Sequence, residues 1–175
     1  ANPSADALTW ALYCIHKSPG IKEKLIKEID SLGDNSDPVE ISHTPYLTAA
    51  CQESLRIHPP NVTTNVRFTN SNIEIMGHQF EPGTSLVVCT HLIHRREDIY
   101  PNPKQFLPER FLERKYSTYE FTPFGGGHRT CIGKALGMLE MKIVIATILS
   151  RYELALANNE PVKPKRSRVN FTPSN

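Results

Sequence analysis

The chain has 175 residues, 39% of them hydrophobic and 22% charged, which is enough to bury a core and ordinary for a globular protein. A formal net charge of +2 is too mild to recruit nucleic acid, and the short, proline-interrupted cluster Lys163-Pro-Lys-Arg-Ser-Arg168 reads as a solvated loop. No run of about 18 apolar residues and no hydrophobic leader are present, so neither a membrane segment nor a secretion signal is expected.

Cys14, Cys51, Cys89 and Cys131 form no Cys-x-x-Cys pair, and three of them lie in apolar patterns where a reduced, buried thiol is usual. A cytoplasmic setting is expected. No internal repeat or low-complexity tract divides residues 1–175, so a single domain is expected.

Ala5–His16 places Leu8, Ala11, Leu12 and Ile15 on one side of a helix, with only Asn2-Pro3-Ser4 ahead of it, so the chain is expected to open inside an element. Pro19–Leu32 reads as a second amphipathic helix, with Ile21, Leu25, Ile29 and Leu32 inward and Lys22, Glu23, Lys27 and Glu28 outward; the run Gly33–Pro38 ends it. A third helix over Pro45–Ile57 is stopped by Pro59-Pro60.

The β-branched stretches Thr63–Phe68, Ile73–Met76 and Ser85–Cys89 predict short strands, separated by Asn70-Ser71-Asn72 and Pro82-Gly83. Tyr100–Phe121 is rich in proline and aromatic residues without a period, and such a run inside a domain is functional or tightly packed. A long helix over Ala135–Leu149 and a strand around Tyr152–Ala157 close a mainly α chain with small β-sheets, of the α+β class.

Just ahead of that last helix lies Phe124-Gly-Gly-Gly-His-Arg-Thr-Cys-Ile-Gly133. Gly125, Gly126 and Gly127 let the backbone adopt positive φ and pass close to a flat ligand, and Arg129 adds a fixed cation. Cys131 meets the unpaired N–H groups and positive dipole end of the helix, which favour an anionic sulfur. A thiolate pushes electrons into haem iron, so this stretch reads as a haem-thiolate loop.

The spacing Phe124-x-x-Gly127-x-Arg129-x-Cys131-x-Gly133 resembles the cysteine loop of the cytochrome P450 haem-thiolate enzymes. Glu53-x-x-Arg56 and Pro108-Glu-Arg-Phe111 precede it in the family's order. The resemblance covers essentially the whole chain and looks closest to bacterial or cyanobacterial members that act on fatty-acid-like substrates. It implies the C-terminal portion of a single P450 domain whose N-terminal part is missing, a fragment expected to be inactive by itself. A complete protein would hold haem b (iron-protoporphyrin IX) through Cys131, accept electrons from a ferredoxin or reductase, and insert one oxygen atom from O2 into an apolar substrate.

The same resemblance assigns roles residue by residue. Phe124 would shield the sulfur and Gly133 would let the helix approach the porphyrin, with Gly127 turning the loop between them. Arg67 and Arg129 would neutralise the haem propionates. Thr63 and Thr64, after the Pro-Pro turn, would face substrate, and Lys134 and Lys142 would meet an acidic electron donor. Spacing alone makes Glu53 and Arg56 an exposed ion pair worth about 0.2–0.5 kcal/mol; the resemblance instead implies a buried cluster of Glu53, Arg56 and Arg110. His91, His94 and His128 lack metal-ligand spacing and are expected to meet solvent or backbone.

No catalytic residue is assigned within the chain. Hydroxylating members carry an acid and an alcohol where Asn2 and Pro3 stand, and neither of these can deliver a proton. A hydroperoxide isomerase or peroxygenase needing no external electrons, an inactive remnant, and a helical interaction module therefore stay open as alternatives.

Overall fold

The computed structural model describes residues 2–33, 37–158, 160–167 and 170–173. Helix α1 (Pro3–Lys17) starts where local chemistry allows it: the Asn2 side chain accepts from Ser4 N at 3.0 Å, and Pro3 occupies a first-turn position that needs no donor. It buries Ala7, Trp10, Ala11, Cys14 and Ile15, while Leu8 and Leu12 lie on the margin, so the inward face is broader than the expected stripe. Helix α2 (Ile21–Asp30) follows Gly20, whose φ of 78° lets the chain turn sharply, and it buries Ile21, Leu25 and Ile29. Leu32 falls beyond its end. Of the expected stop after α2, residues 34–36 lie outside the described residues.

A short helix α3 (Pro38–Ser42) was not anticipated. It is held by a capping box, with Val39 N donating to the Asp37 carboxylate at 2.9 Å and Asp37 N donating to the Glu40 carboxylate at 3.1 Å. Helix α4 (Pro45–Ile57) has the expected bounds, but its N-terminus is capped from elsewhere. Both carboxylate oxygens of Glu28, on α2, accept from Tyr46 N and Leu47 N at 2.8 Å. The final helix α7 (Lys134–Arg151) packs against α1, α2, α3 and α4. Ile15, Leu25, Leu47, Ala50, Cys51 and Ile145 are fully buried in this core, where a large aliphatic side chain contributes about 1.5–3 kcal/mol. Lys142 belongs to the same interior: it is 8% exposed and donates to the Ser42 carbonyl. Its expected place at an electron donor is thus corrected, because the last turn of α3 needs a donor and takes this one.

Strand β1 (Arg67–Phe68) pairs antiparallel with β4 (Ser85–Leu86), and β2 (Ile73–Ile75) with β3 (His78–Phe80). All are short, and β3 was missed because His78-Gln79 carries no β-branched signal. Between β2 and β3 the chain reverses through Met76 and Gly77, with φ of 50° and 79°. Beyond β4, residues 87–89 leave the ladder, though Thr64 N still donates to Val88 O at 2.9 Å. A third pair, β5 (Pro164–Ser167) with β6 (Asn170–Pro173), corrects the loop reading of the Lys163–Arg168 cluster over Pro164–Ser167: the register Lys165↔Thr172 and Arg166↔Phe171 gives these residues a partner strand, while Arg168 lies outside the described residues. Tyr152–Ala157 is not a strand. Among the described residues no strand pairs with it, and Leu154 O accepts from Lys22 Nζ at 3.3 Å instead.

The Tyr100–Phe121 run is tightly packed, as expected. Helix α5 (Thr90–Ile93) precedes it and helix α6 (Arg110–Glu113) interrupts it. Tyr100 stacks on Tyr116 with centroids 4.6 Å apart, and Phe111 meets Phe121 at 4.9 Å. The whole is mainly α with three two-stranded antiparallel sheets among the described residues.

Met76 is 94% exposed in a left-handed conformation that costs an L-residue about 1–2 kcal/mol. Met76→Gly is expected to relieve that strain and raise stability by about 0.5–1 kcal/mol, read as a higher midpoint in urea unfolding.

Candidate functional site

Glu53 and Arg56 share one face of α4 and are fully buried, and Arg110 on α6 is 7% exposed. Arg56 donates from Nε and Nη2 to the two carboxylate oxygens of Glu53 at 2.7 and 2.8 Å, and Arg110 Nε adds a bond at 3.0 Å. Leu107 N supplies a fourth donor at 2.9 Å. The exposed-pair reading from spacing is therefore corrected: the three side chains form the buried cluster that the resemblance implied.

The remaining guanidinium donors reach backbone carbonyls. Arg56 donates to His94 O at 2.7 Å, Pro103 O at 2.9 Å and Gln105 O at 3.2 Å, while Arg110 donates to Pro101 O at 3.2 and 3.3 Å. The Tyr100 ring lies 5.0 Å from the Arg56 guanidinium and 6.0 Å from that of Arg110. Its hydroxyl, pushed well above the usual phenol range by burial, donates to Glu120 O at 2.9 Å.

His94 takes backbone partners, as expected of it. Thr122 N donates to its Nε2 at 2.9 Å, so Nε2 is an acceptor and the proton sits on Nδ1, which donates to Arg56 O at 3.1 Å. Burial, followed by the Arg56 charge, holds its pKa down to about 3 against a favourable backbone contact. His58 stacks flat on Trp10 with centroids 3.8 Å apart, and burial and Arg95 lower it to about 4. His128 is exposed; His91 is half-buried and shifted down by burial and Arg95.

The cysteine loop follows Thr122. Gly125 N donates to Thr122 O at 3.0 Å, and Gly125 and Gly127 take φ of 72° and 66°, which a side chain would strain. A 3-10 turn over Gly127–Arg129 leads to Thr130, whose N–H and hydroxyl both donate to Gly127 O. Cys131 N then donates to Phe124 O at 2.9 Å and closes the loop two residues before Gly133, the N-cap of α7.

Cys131 is the exposed thiol of the four cysteines. Cys14 and Cys51 are buried, and burial raises both to about 12, which leaves them inert. A Cβ at Gly133 would lie 3.8 Å from the Cys131 sulfur, so glycine keeps that flank open. Phe124 packs on Gly137, a contact the sequence reading missed: a Cβ there would sit 3.8 Å from the Phe124 ring. Ile132 and Leu136, one and five residues after Cys131 in the chain, are exposed, as are Arg129 and, on β1, Arg67.

Among the described residues neither Arg67 nor Arg129 has an acidic partner, and no hydrogen bond or ion pair joins Arg67 to the loop. Thr63 is exposed, whereas the Thr64 hydroxyl is already committed, accepting from Val88 N at 3.1 Å. Among the described residues no cluster of three His, Cys, Asp or Glu side chains could hold a metal by itself. One exposed sulfur, exposed apolar residues close to it in the chain, a loop bare of side chains at its glycines and cations without acidic partners fit the chemistry of haem, a flat apolar macrocycle with two carboxylates.

Three outcomes are expected. Glu53→Gln, or Arg56→Met alone, strands buried charge and lowers unfolding free energy by about 3–5 kcal/mol, seen in urea titration. Gly137→Ala raises it by about 1 kcal/mol, since glycine inside a helix is costly and the new methyl makes ordinary contact with Phe124. Both His58 and His94 bind protons more readily in the unfolded chain, so their contribution is full above about pH 6.5 and is lost as pH falls through about 4 and then about 3. His58→Phe is expected to flatten the upper part of that acid profile in pH-dependent thermal melts.

The cytochrome P450 family model matches residues 2–175. The chain is 33% identical over 181 residues to mitochondrial sterol 26-hydroxylase of Mus musculus, covering 98% of this chain and 34% of that protein. It is 36% identical over 162 residues to dimethylnonatriene synthase of Arabidopsis thaliana, covering 89% and 32%, respectively. It also superimposes on the crystal structure of a cytochrome P450, CYP102L1, with a TM-score of 0.88 at 26% identity over 98% of this chain and 40% of that one. The chain thus spans about a third of the length of these curated relatives. With its cysteine loop, its buried Glu–Arg–Arg cluster and a family match over nearly every residue, the chain belongs to the cytochrome P450 family.

Proposed function

We propose that the protein carrying this chain is a haem-thiolate monooxygenase that holds haem iron through Cys131 and oxygenates an apolar substrate. The observation that carries this is the Cys131 thiol, exposed at the head of α7 in a loop cleared of side chains, while the core thiols are buried and inert. Haem b is the form proposed, because no Cys-x-x-Cys-His site for covalent attachment occurs. Bound there, haem supplies the one-electron and O2 chemistry that side chains lack.

The residues of this chain hold and screen that group. The Cys131 sulfur would bind the haem iron, kept in place by the bond from the Cys131 N–H to Phe124 O. Phe124, seated on Gly137, would exclude water from the sulfur side. Arg129 and Arg67 would each hydrogen-bond a haem carboxylate, fixing orientation and neutralising charge. Glu53, Arg56 and Arg110 touch no reacting atom in this scheme; they hold the backbone of residues 94–107.

For the substrate, the exposed apolar residues Val66, Phe68, Val87 and Val88 around the β1–β4 pair favour a hydrophobic molecule, with Thr63 on the same segment. The relatives named for sterol 26-hydroxylation and dimethylnonatriene synthesis favour the same class. Electrons would come from a ferredoxin or reductase, with Lys134 as an exposed contact; Lys142 is buried and is not part of that surface.

A second reading rests on Asn2 and Pro3. The Asn2 carboxamide caps α1 and Pro3 has no hydroxyl, so neither delivers protons. A protein using peroxide or rearranging a hydroperoxide would need no such delivery.

Both readings share one test. The reduced, carbon-monoxide-bound spectrum of the protein is expected to show a thiolate-type red-shifted Soret band that Cys131→Ser abolishes; retention of the band in that variant would refute ligation by Cys131. Substrate turnover that requires reduced nicotinamide and a donor protein supports the monooxygenase, and turnover with hydroperoxide alone supports the second reading.

A further inference from the structure

One buried ring stands between the ion cluster and the cysteine loop. His94 is fully buried and is tied to Arg56 twice: its carbonyl accepts from the Arg56 guanidinium at 2.7 Å, and its Nδ1 donates to the Arg56 carbonyl at 3.1 Å. Its opposite edge accepts the Thr122 N–H at 2.9 Å. The ring is stacked on Phe121 with centroids 5.4 Å apart and meets Tyr100 edge-on at 6.3 Å, so it cannot swing away without opening the aromatic cluster.

Thr122 is two residues from Phe124. Its carbonyl accepts from Gly125 N at 3.0 Å, only the stiff Pro123 lies between it and Phe124, and the Phe124 carbonyl accepts from Cys131 N at 2.9 Å. Three hydrogen bonds and one rigid residue therefore connect the end of α4 to the backbone of Cys131.

We infer that His94 is a positioning residue, which fixes the Cys131 loop to the Glu53–Arg56 cluster by holding Thr122. This rests on the proposed role of Cys131 as the axial ligand. The chemistry of the slot is narrow. It needs one donor and one acceptor on opposite sides of a small flat group, which excludes Lys and Arg as donors only and an ionised carboxylate as an acceptor only. A neutral imidazole fills it, and a Gln amide is the nearest substitute. An apolar ring would leave the Arg56 carbonyl and the Thr122 N–H buried and unpaired.

The test compares His94→Phe with His94→Gln and has a readout that does not need haem. Amide hydrogen exchange at Thr122 and Cys131 is expected to speed up about tenfold in His94→Phe, while Trp10 and Ile15 in α1 keep wild-type protection, and to stay near wild type in His94→Gln. In the haem-loaded protein, the carbon-monoxide spectrum of His94→Phe is expected to shift from the thiolate-type band toward that of a neutral thiol, with His94→Gln restoring it. Nitrogen NMR of the wild type is expected to show the proton on Nδ1 and a coupling across the hydrogen bond from the Thr122 amide to Nε2; this arm decides the matter if His94→Phe does not fold. Unchanged exchange at Cys131 in His94→Phe, a rise shared equally with Trp10 and Ile15, or absence of the coupling would each overturn the inference. A wild type that lacks the thiolate-type band would refute the haem reading instead, and exchange and coupling would still decide the part played by His94.

Discussion

The Glu53 carboxylate accepts four hydrogen bonds, three from guanidinium groups and one from Leu107 N, in a place fully removed from water. An isolated charge there would be prohibitively costly, so each donor is obligatory rather than decorative. What the donors bring with them is the point. Arg56 and Arg110 use their other N–H groups to occupy the carbonyls of His94, Pro101, Pro103 and Gln105, which belong to a stretch with almost no ladder or helix of its own. Side chains here satisfy the backbone that regular structure satisfies elsewhere.

From that anchor, order passes outward in one direction. His94 hands it to Thr122, Pro123 stiffens the next step, and Phe124 fixes the N–H of Cys131. The cysteine loop is therefore tied to the cluster through its backbone, while Gly125, Gly127 and Gly133 leave it bare of side chains at three positions. Buried charge at one end of this path and an exposed sulfur at the other give the Cys131 backbone a rigid mount. The helical core supplies the mass against which that mount is braced, and polar contacts join its parts, with Glu28 capping α4 and Lys142 closing α3.

Much of this was legible from residue order, because the decisive signals were local. Pro45 and Pro59 bracket α4, the 3.6-residue pattern marks α7, and the glycines around Cys131 announce a tight loop. The Glu53–Arg56 pair was legible as chemistry but ambiguous as location: three-residue spacing is the same on a wet face and a dry one, and only Arg110, more than fifty residues later, decides which. The elements that escaped notice owe their form to distant partners. Tyr152–Ala157 has strand-forming residues and, among the described residues, no strand to pair with, whereas Pro164–Ser167 has loop-like residues and does find one. Lys142 looked like a surface charge because its acceptor, the Ser42 carbonyl, is a hundred residues away in sequence. For His94 the sequence offered only a choice between solvent and backbone contacts, since the carbonyl and the amide that fix it carry no side-chain signature.

The stacking of Trp10 on His58 has a practical side. The chain contains a single tryptophan, and that indole lies face to face with an imidazole at the junction of α1 and the end of α4. All indole emission from this chain therefore arises at one spot, beside an imidazole that burial and Arg95 keep neutral down to about pH 4 and that, between there and about pH 6.5, gains a proton when its environment loosens. The fold carries its own optical gauge, placed where the helical core joins the segment that leads to the β1–β4 pair, and no label need be introduced to watch that joint open.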